Sequence, residues 1–82
     1  MSITASEAKK IRKVFDGLKA HRTSVQQNQL TFWKQYGVTQ SGGSRYESGR
    51  EMDAPLRALV ALHVSGKVDD ETLANAMRLA KS

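Results

Sequence analysis

The sequence predicts an all-α fold, a compact domain of about five short helices, on three observations. Apolar residues recur at three- and four-residue intervals in several separate stretches, a helix-start signal precedes each of them, and no stretch alternates apolar and polar residues as a half-buried strand would. The chain has 82 residues, enough for one domain with a modest core, so residues 1–82 are expected to form a single unit.

Thr4-Ala5-Ser6-Glu7 has the spacing of a capping box, with Ser6 as a competing cap. Ala8, Ile11, Val14, Phe15 and Leu18 then share one side of a first helix expected to run to about Thr23–Val25. Asn28 is an N-cap for a brief second helix whose Phe32, Trp33 and Tyr36 lie on one face, and Gly37 ends it. Thr39 caps a third helix running to about Ser48, before Gly49. Asp53-Ala54-Pro55 opens a fourth helix through Leu56, Leu59, Val60, His63 and Val64, closed by Gly66. Asp69 caps the fifth, about 69–80, with Asp70 and Glu71 suited to the positive end of its dipole.

Composition narrows the function. Net charge is +5, and it is uneven: nine Lys/Arg face three Asp/Glu through residue 50, whereas four face five beyond it. A basic N-terminal portion suggests a polyanion-binding face. There is no cysteine, hence no disulfide framework and no thiolate metal site. No apolar run approaches membrane-spanning length and the N-terminus lacks an apolar leader, so a cytoplasmic location without membrane attachment is expected.

The second and third expected helices, joined by Gly37-Val38-Thr39, have the layout of a helix-turn-helix at about 28–48, in which the second helix enters the DNA major groove. Residues 28–50, NQLTFWKQYGVTQSGGSRYESGR, resemble the helix-turn-helix of the phage repressor and Cro-like family, the xenobiotic-response-element type. The resemblance rests on Gln29 opening the bracing helix, Gly37-Val38-Thr39-Gln40 at the turn, and Ser44-Arg45-Tyr46-Glu47 followed by Gly49-Arg50. It implies a lambda-repressor-like fold and a DNA-binding regulator.

The resemblance also addresses an oddity, Gly42 and Gly43 side by side within the recognition helix, since each interior glycine costs about 1 kcal/mol relative to Ala. In the family the position of Trp33 is usually Ala, packed against Val or Ile at the position of Gly43. Here the sizes are exchanged, and Trp33 is expected to fill the space that Gly43 leaves. Gly42 has no such partner in this reading and is assigned to close approach to the DNA backbone or a base edge.

By the same resemblance, Gln40, Ser41 and Arg45, with Ser44, are candidate base readers. Arg can pair with guanine, Gln with adenine, and Ser with several base edges. The plainer alternative is a solvated polar helix face. Asn28, Gln29 and Thr39, at the starts of the two helices, are candidate phosphate contacts, as are Arg50 and Arg57; Asn28 and Thr39 also serve as caps. Arg22 precedes Asn28 by six residues, which in relatives places an Arg against the Glu that corresponds to Glu47, so Arg22, Trp33, Gly43 and Glu47 are assigned to structural support. Gln26 and Gln27 depart from the family, which commonly has Gly and an apolar residue there. The lysines of the first helix read as a solvated face that aids steering.

His21 and His63 have no neighbour at metal-ligand or nucleophile spacing. His63 reads as a hydrogen-bonded core histidine and Asp69-Asp70-Glu71 as a helix start. Nothing matches a phosphate-cradling loop, a catalytic triad or a zinc motif, so no cofactor, no metal and no enzymatic activity are expected. The expected function is a sequence-specific duplex-DNA-binding regulator, a small dimeric repressor or autoregulator on a palindromic operator. Its half-sites would lie about one helical turn, roughly 34–36 Å, apart. Leu73, Met77 and Ala80 of the fifth helix are the candidate dimer surface, the alternative being that this face packs into its own core. The alternative function is an antitoxin, in which the same domain silences its operon and the C-terminal helix binds a toxin protein.

Overall fold

Thr4 and Glu7 start the first helix by a reciprocal exchange: the Thr4 N–H donates to the Glu7 carboxylate at 3.0 Å and the Glu7 N–H donates to the Thr4 hydroxyl at 3.2 Å. This capping box opens α1 (Ala5–Asp16) in the computed structural model, which describes residues 2–82. Ile11 and Val14 form its buried side.

The first helix ends sooner than its apolar spacing implies. At Gly17 the N–H reaches back only three residues, to the Val14 carbonyl, and a separate helix α2 (Leu18–Ser24) follows. A Cβ at Gly17 would meet only ordinary contacts, Ala20 Cβ at 3.7 Å being the nearest, so crowding does not require glycine there. The break follows the weak helix propensity of glycine. The described residues therefore form six helices rather than five.

The chain continues through α3 (Gln29–Lys34), α4 (Gln40–Glu47), α5 (Ala54–Val64) and α6 (Asp70–Ala80). Asn28, Thr39 and Asp69 each accept the backbone N–H of the residue three further on, at 2.8, 3.1 and 2.7 Å, which satisfies a donor that the helix itself leaves free. Asp53 makes no such bond, and Pro55 sits in the first turn of α5. Gly37 takes φ 75°, a left-handed conformation open to glycine without a Cβ penalty, and so turns α3 into α4. Gln26, between α2 and α3, takes φ 59° and carries a side chain into that same region.

The core gathers on α3. Phe32, Trp33 and Tyr36 are buried with Val14, Leu18, Met52, Val60 and Leu73. Their rings meet edge to face, Phe32 with Trp33 at 5.1 Å and with Tyr36 at 5.6 Å between centroids. His63 on α5 joins the turn after α3 to the start of α6, its Nδ1 2.7 Å from the Tyr36 hydroxyl and its Nε2 2.6 Å from an Asp70 carboxylate oxygen.

Leu73 is a correction to the sequence reading. It is only 2% exposed and belongs to the domain's own core, the alternative left open for this face, and it shows only at the floor of the groove between α3 and α6. Met77 is half-buried against Gly37, and Ala80 stays exposed. No helix among the described residues is long and apolar enough to cross a membrane, and no group of three or more His, Cys, Asp or Glu among them could hold a metal ion.

Candidate nucleic-acid interface

The recognition helix α4 is held from behind by an aromatic ring. Trp33 is fully buried, and a Cβ placed on Gly43 would overlap Cδ1 and Cγ of its indole. Bare backbone on α4 thus lets α3 approach at this point. Gly42 also has close neighbours within the fold. A Cβ there would lie 3.2 Å from Val38 Cγ1 and 3.3 Å from the Thr39 hydroxyl, a tight fit beside the cap.

Glu47, at the far end of α4, fastens three helices. It accepts hydrogen bonds from Arg22 Nε at 2.9 Å, Arg22 Nη2 at 3.1 Å, Trp33 Nε1 at 2.7 Å and Gln29 Nε2 at 3.4 Å. Arg22 Nη1 also donates to the Gln27 carbonyl at 3.1 Å, which ties the α2–α3 connection into the same knot. The Arg22 and Glu47 side chains are 14% and 4% exposed, so the pair is shielded from solvent and its bidentate geometry fixes orientation. Burial by itself would raise the Glu47 carboxyl, but the hydrogen bonds from Arg22, Trp33 and Gln29 outweigh it and hold the group below the ordinary carboxylate range.

The Trp33–Glu47 bond was missed by the sequence reading. A buried indole N–H needs an acceptor, and that requirement was the one available signal. Tyr46 is half-buried beside the same ring, with centroids 5.5 Å apart.

With Gly43, Tyr46 and Glu47 turned inward, the opposite side of α4 faces solvent. Ser41 and Arg45 are exposed there, Gln40 is exposed at the helix start on the same line as Glu47 two turns earlier, and Ser44 is half-buried. Thr39 and Asn28 are exposed at the two helix starts, their side-chain oxygens engaged as caps. Arg50 is exposed just beyond α4, its N–H bonded to the Arg45 carbonyl at 3.0 Å.

Two candidates are less free than their sequence positions suggest. Gln29 is half-buried and turns its amide toward Glu47, because the carboxylate needs donors more than the surface does. Arg57 pairs with Glu51 at 3.3 Å, and its guanidinium lies 5.2 Å from the centroid of the Phe15 ring.

Comparison with known proteins agrees with this architecture. The family described as the RsaL-like HTH domain matches residues 19–63, more than half of the chain, from α2 through α5. This is a helix-turn-helix DNA-binding domain, and the match is not specifically to the phage repressor and Cro-like family. No curated protein and no solved structure matches the chain. The chain belongs to the RsaL-like helix-turn-helix domain family.

Proposed function

We propose that this protein is a sequence-specific regulator of transcription, a small repressor that reads the major groove of duplex DNA with α4. One observation carries the reading: Ser41 and Arg45 stand exposed on one side of α4 with Gln40 exposed at its start, while Trp33 and Glu47 hold the helix from the inner side. A reading helix has to be both exposed and rigid, because base-edge hydrogen bonds tolerate little misplacement. Arg45 and Gln40 are the principal base readers, with Ser41 and Ser44 beside them. Asn28, Thr39 and Arg50 contact phosphates, Gln29 does so only by sharing its amide with Glu47, and Arg57 only by loosening its pair with Glu51. The likeness of residues 28–50 to Cro-like repressors supports a cytoplasmic protein acting on a palindromic operator, including its own promoter.

The test is selection of a randomised duplex library on the purified protein at about physiological salt, where phosphate contacts alone give weak and non-specific binding. A two-fold symmetric enriched motif is expected. Arg45→Ala and Gln40→Ala should each relax preference at one position per half-site, by about 1–3 kcal/mol per lost bidentate pair. A folded protein that enriches no sequence would overturn the reading.

A second reading has its own observation. Leu30 and Leu79 are 53% and 71% exposed, and Leu30, Ala74 and Met77 line a shallow groove between α3 and α6. With Met77 and Ala80, this is the surface we assign to the second copy in a dimer. In an antitoxin it would take a toxin protein instead, and a stoichiometric partner co-purifying from the source cells would favour that function.

A further inference from the structure

We propose that α1 is a second phosphate-contacting surface, which holds the duplex backbone beyond the major-groove segment that α4 enters. This rests on the reading of the chain as a duplex-DNA binder. The apolar side of α1 is spent on the core through Ile11 and Val14, and its outer side is almost wholly cationic. Lys9, Lys10, Arg12 and Lys13 are all exposed. Of the two carboxylates of the helix, Glu7 is bonded to Lys67 at 3.1 Å and to the Thr4 cap, and Asp16 lies on the same surface as the four cations, so it offsets one of them.

Helix stability does not account for this pattern. Lys9 and Lys13 are four residues apart and Lys9 and Arg12 three, so like charges face one another on one side of the helix and oppose its formation. The pattern suits a polyanion.

Its position suits the same partner. The C-terminal end of α1, at Phe15 and Asp16, shares a cleft with Gly49, Arg50 and Arg57, where the chain leaves the recognition helix. Arg57 stacks on Phe15 across that cleft. The C-terminal end of α1 thus adjoins the proposed phosphate contact Arg50, with the carboxylates of Asp16 and Glu51 in the same cleft. Twelve residues of helix extend about 18 Å. Moreover, α1 lies wholly outside the family-matched segment 19–63.

The experiment compares the full chain with the triple variant Lys9→Gln/Arg12→Gln/Lys13→Gln by fluorescence anisotropy. Two duplexes carry the selected sequence, one trimmed to the motif and one extended by a helical turn on each side. Titrations run from about 50 to 200 mM salt, where the slope of log affinity against log salt changes by roughly 0.9 per phosphate contact. On the extended duplex the triple variant should show a slope shallower by about 2 to 3. On the trimmed duplex the two slopes should converge, with the preferred sequence unchanged on both. Lys13→Gln alone should lower the slope by about 1, which covers the case of a triple variant that does not fold.

Equal slopes for folded wild type and variants on the extended duplex would overturn the proposal. So would an equal loss on both duplexes, which marks a bulk charge effect. A wild-type chain with no duplex preference would remove the DNA-reading function itself, and with it this proposal, before any variant is measured.

Discussion

The indole of Trp33 occupies the volume that any side chain at position 43 would need, so the two helices of the helix-turn-helix meet as a ring against bare backbone. This accounts for a glycine in a helix that must hold its shape. Replacing a helix-interior Gly by Ala ordinarily stabilises by about 1 kcal/mol. At Gly43 the sign should reverse, because overpacking costs about 1–3 kcal/mol or more. Trp33→Ala should cost about 3–5 kcal/mol, since it leaves a cavity and removes a donor from Glu47. Urea unfolding of Gly43→Ala, Gly43→Ile, Trp33→Ala and the Trp33→Ala/Gly43→Ile pair checks this. The pair should be more stable than the sum of its single losses, and a Gly43→Ala as stable as wild type would refute the packing account.

Glu47 should make the domain sensitive to acid. Its carboxyl in the fold is held below the ordinary value of 4.5, so its contribution is fully present above that value and disappears as pH falls through the lowered one. Glu47→Gln should lose the contribution at neutral pH and flatten the acid limb of melting temperature against pH. Arg22→Ala, which strands a buried carboxylate, should cost about 3–5 kcal/mol at neutral pH and less in acid. Melting curves between about pH 3 and 7 test both, and an acid limb identical in Glu47→Gln and wild type would contradict the assignment.

Gln26 holds a left-handed conformation at φ 59° with a side chain attached. That geometry costs a non-glycine residue roughly 1–2 kcal/mol, part of which glycine returns through its greater freedom when unfolded. Gln26→Gly should therefore raise stability by up to about 1 kcal/mol. Thermal melting is sufficient to decide it, and a lower melting temperature would show that the Gln26 side chain contributes more than the strain.

The two leucines of α6 should behave differently. Leu73→Ala removes core volume and should cost about 2–5 kcal/mol. Leu79 is largely exposed, so Leu79→Glu should leave the fold within about 0.5 kcal/mol of wild type. If α6 forms the dimer, the same change should yield monomers by light scattering. An unaltered dimer in Leu79→Glu would place the interface elsewhere.

Where structure depends on residues three or four apart, it was legible in the chain. The caps at Thr4, Asn28, Thr39 and Asp69 bond within three residues of themselves, and α3 and α4 begin where Asn28 and Thr39 indicate. The departure from family pattern at Gln26 marked a real peculiarity, though its left-handed backbone needed coordinates to see. The break at Gly17 was not legible, because a preference of about 1 kcal/mol is small enough for packing on either side to override.

By its own spacing, the sequence determined an all-helical chain with a turn at Gly37 between a bracing and a reading helix. Tertiary structure alone decided that Glu47 would collect donors from α2 and α3, that Arg57 would pair with Glu51 over the Phe15 ring, and that Leu73 turns inward. The physical reason is common to all three. Periodicity identifies which face of a helix is apolar or charged, but the same face satisfies its own core or another molecule equally well, and only the packed neighbours choose between them.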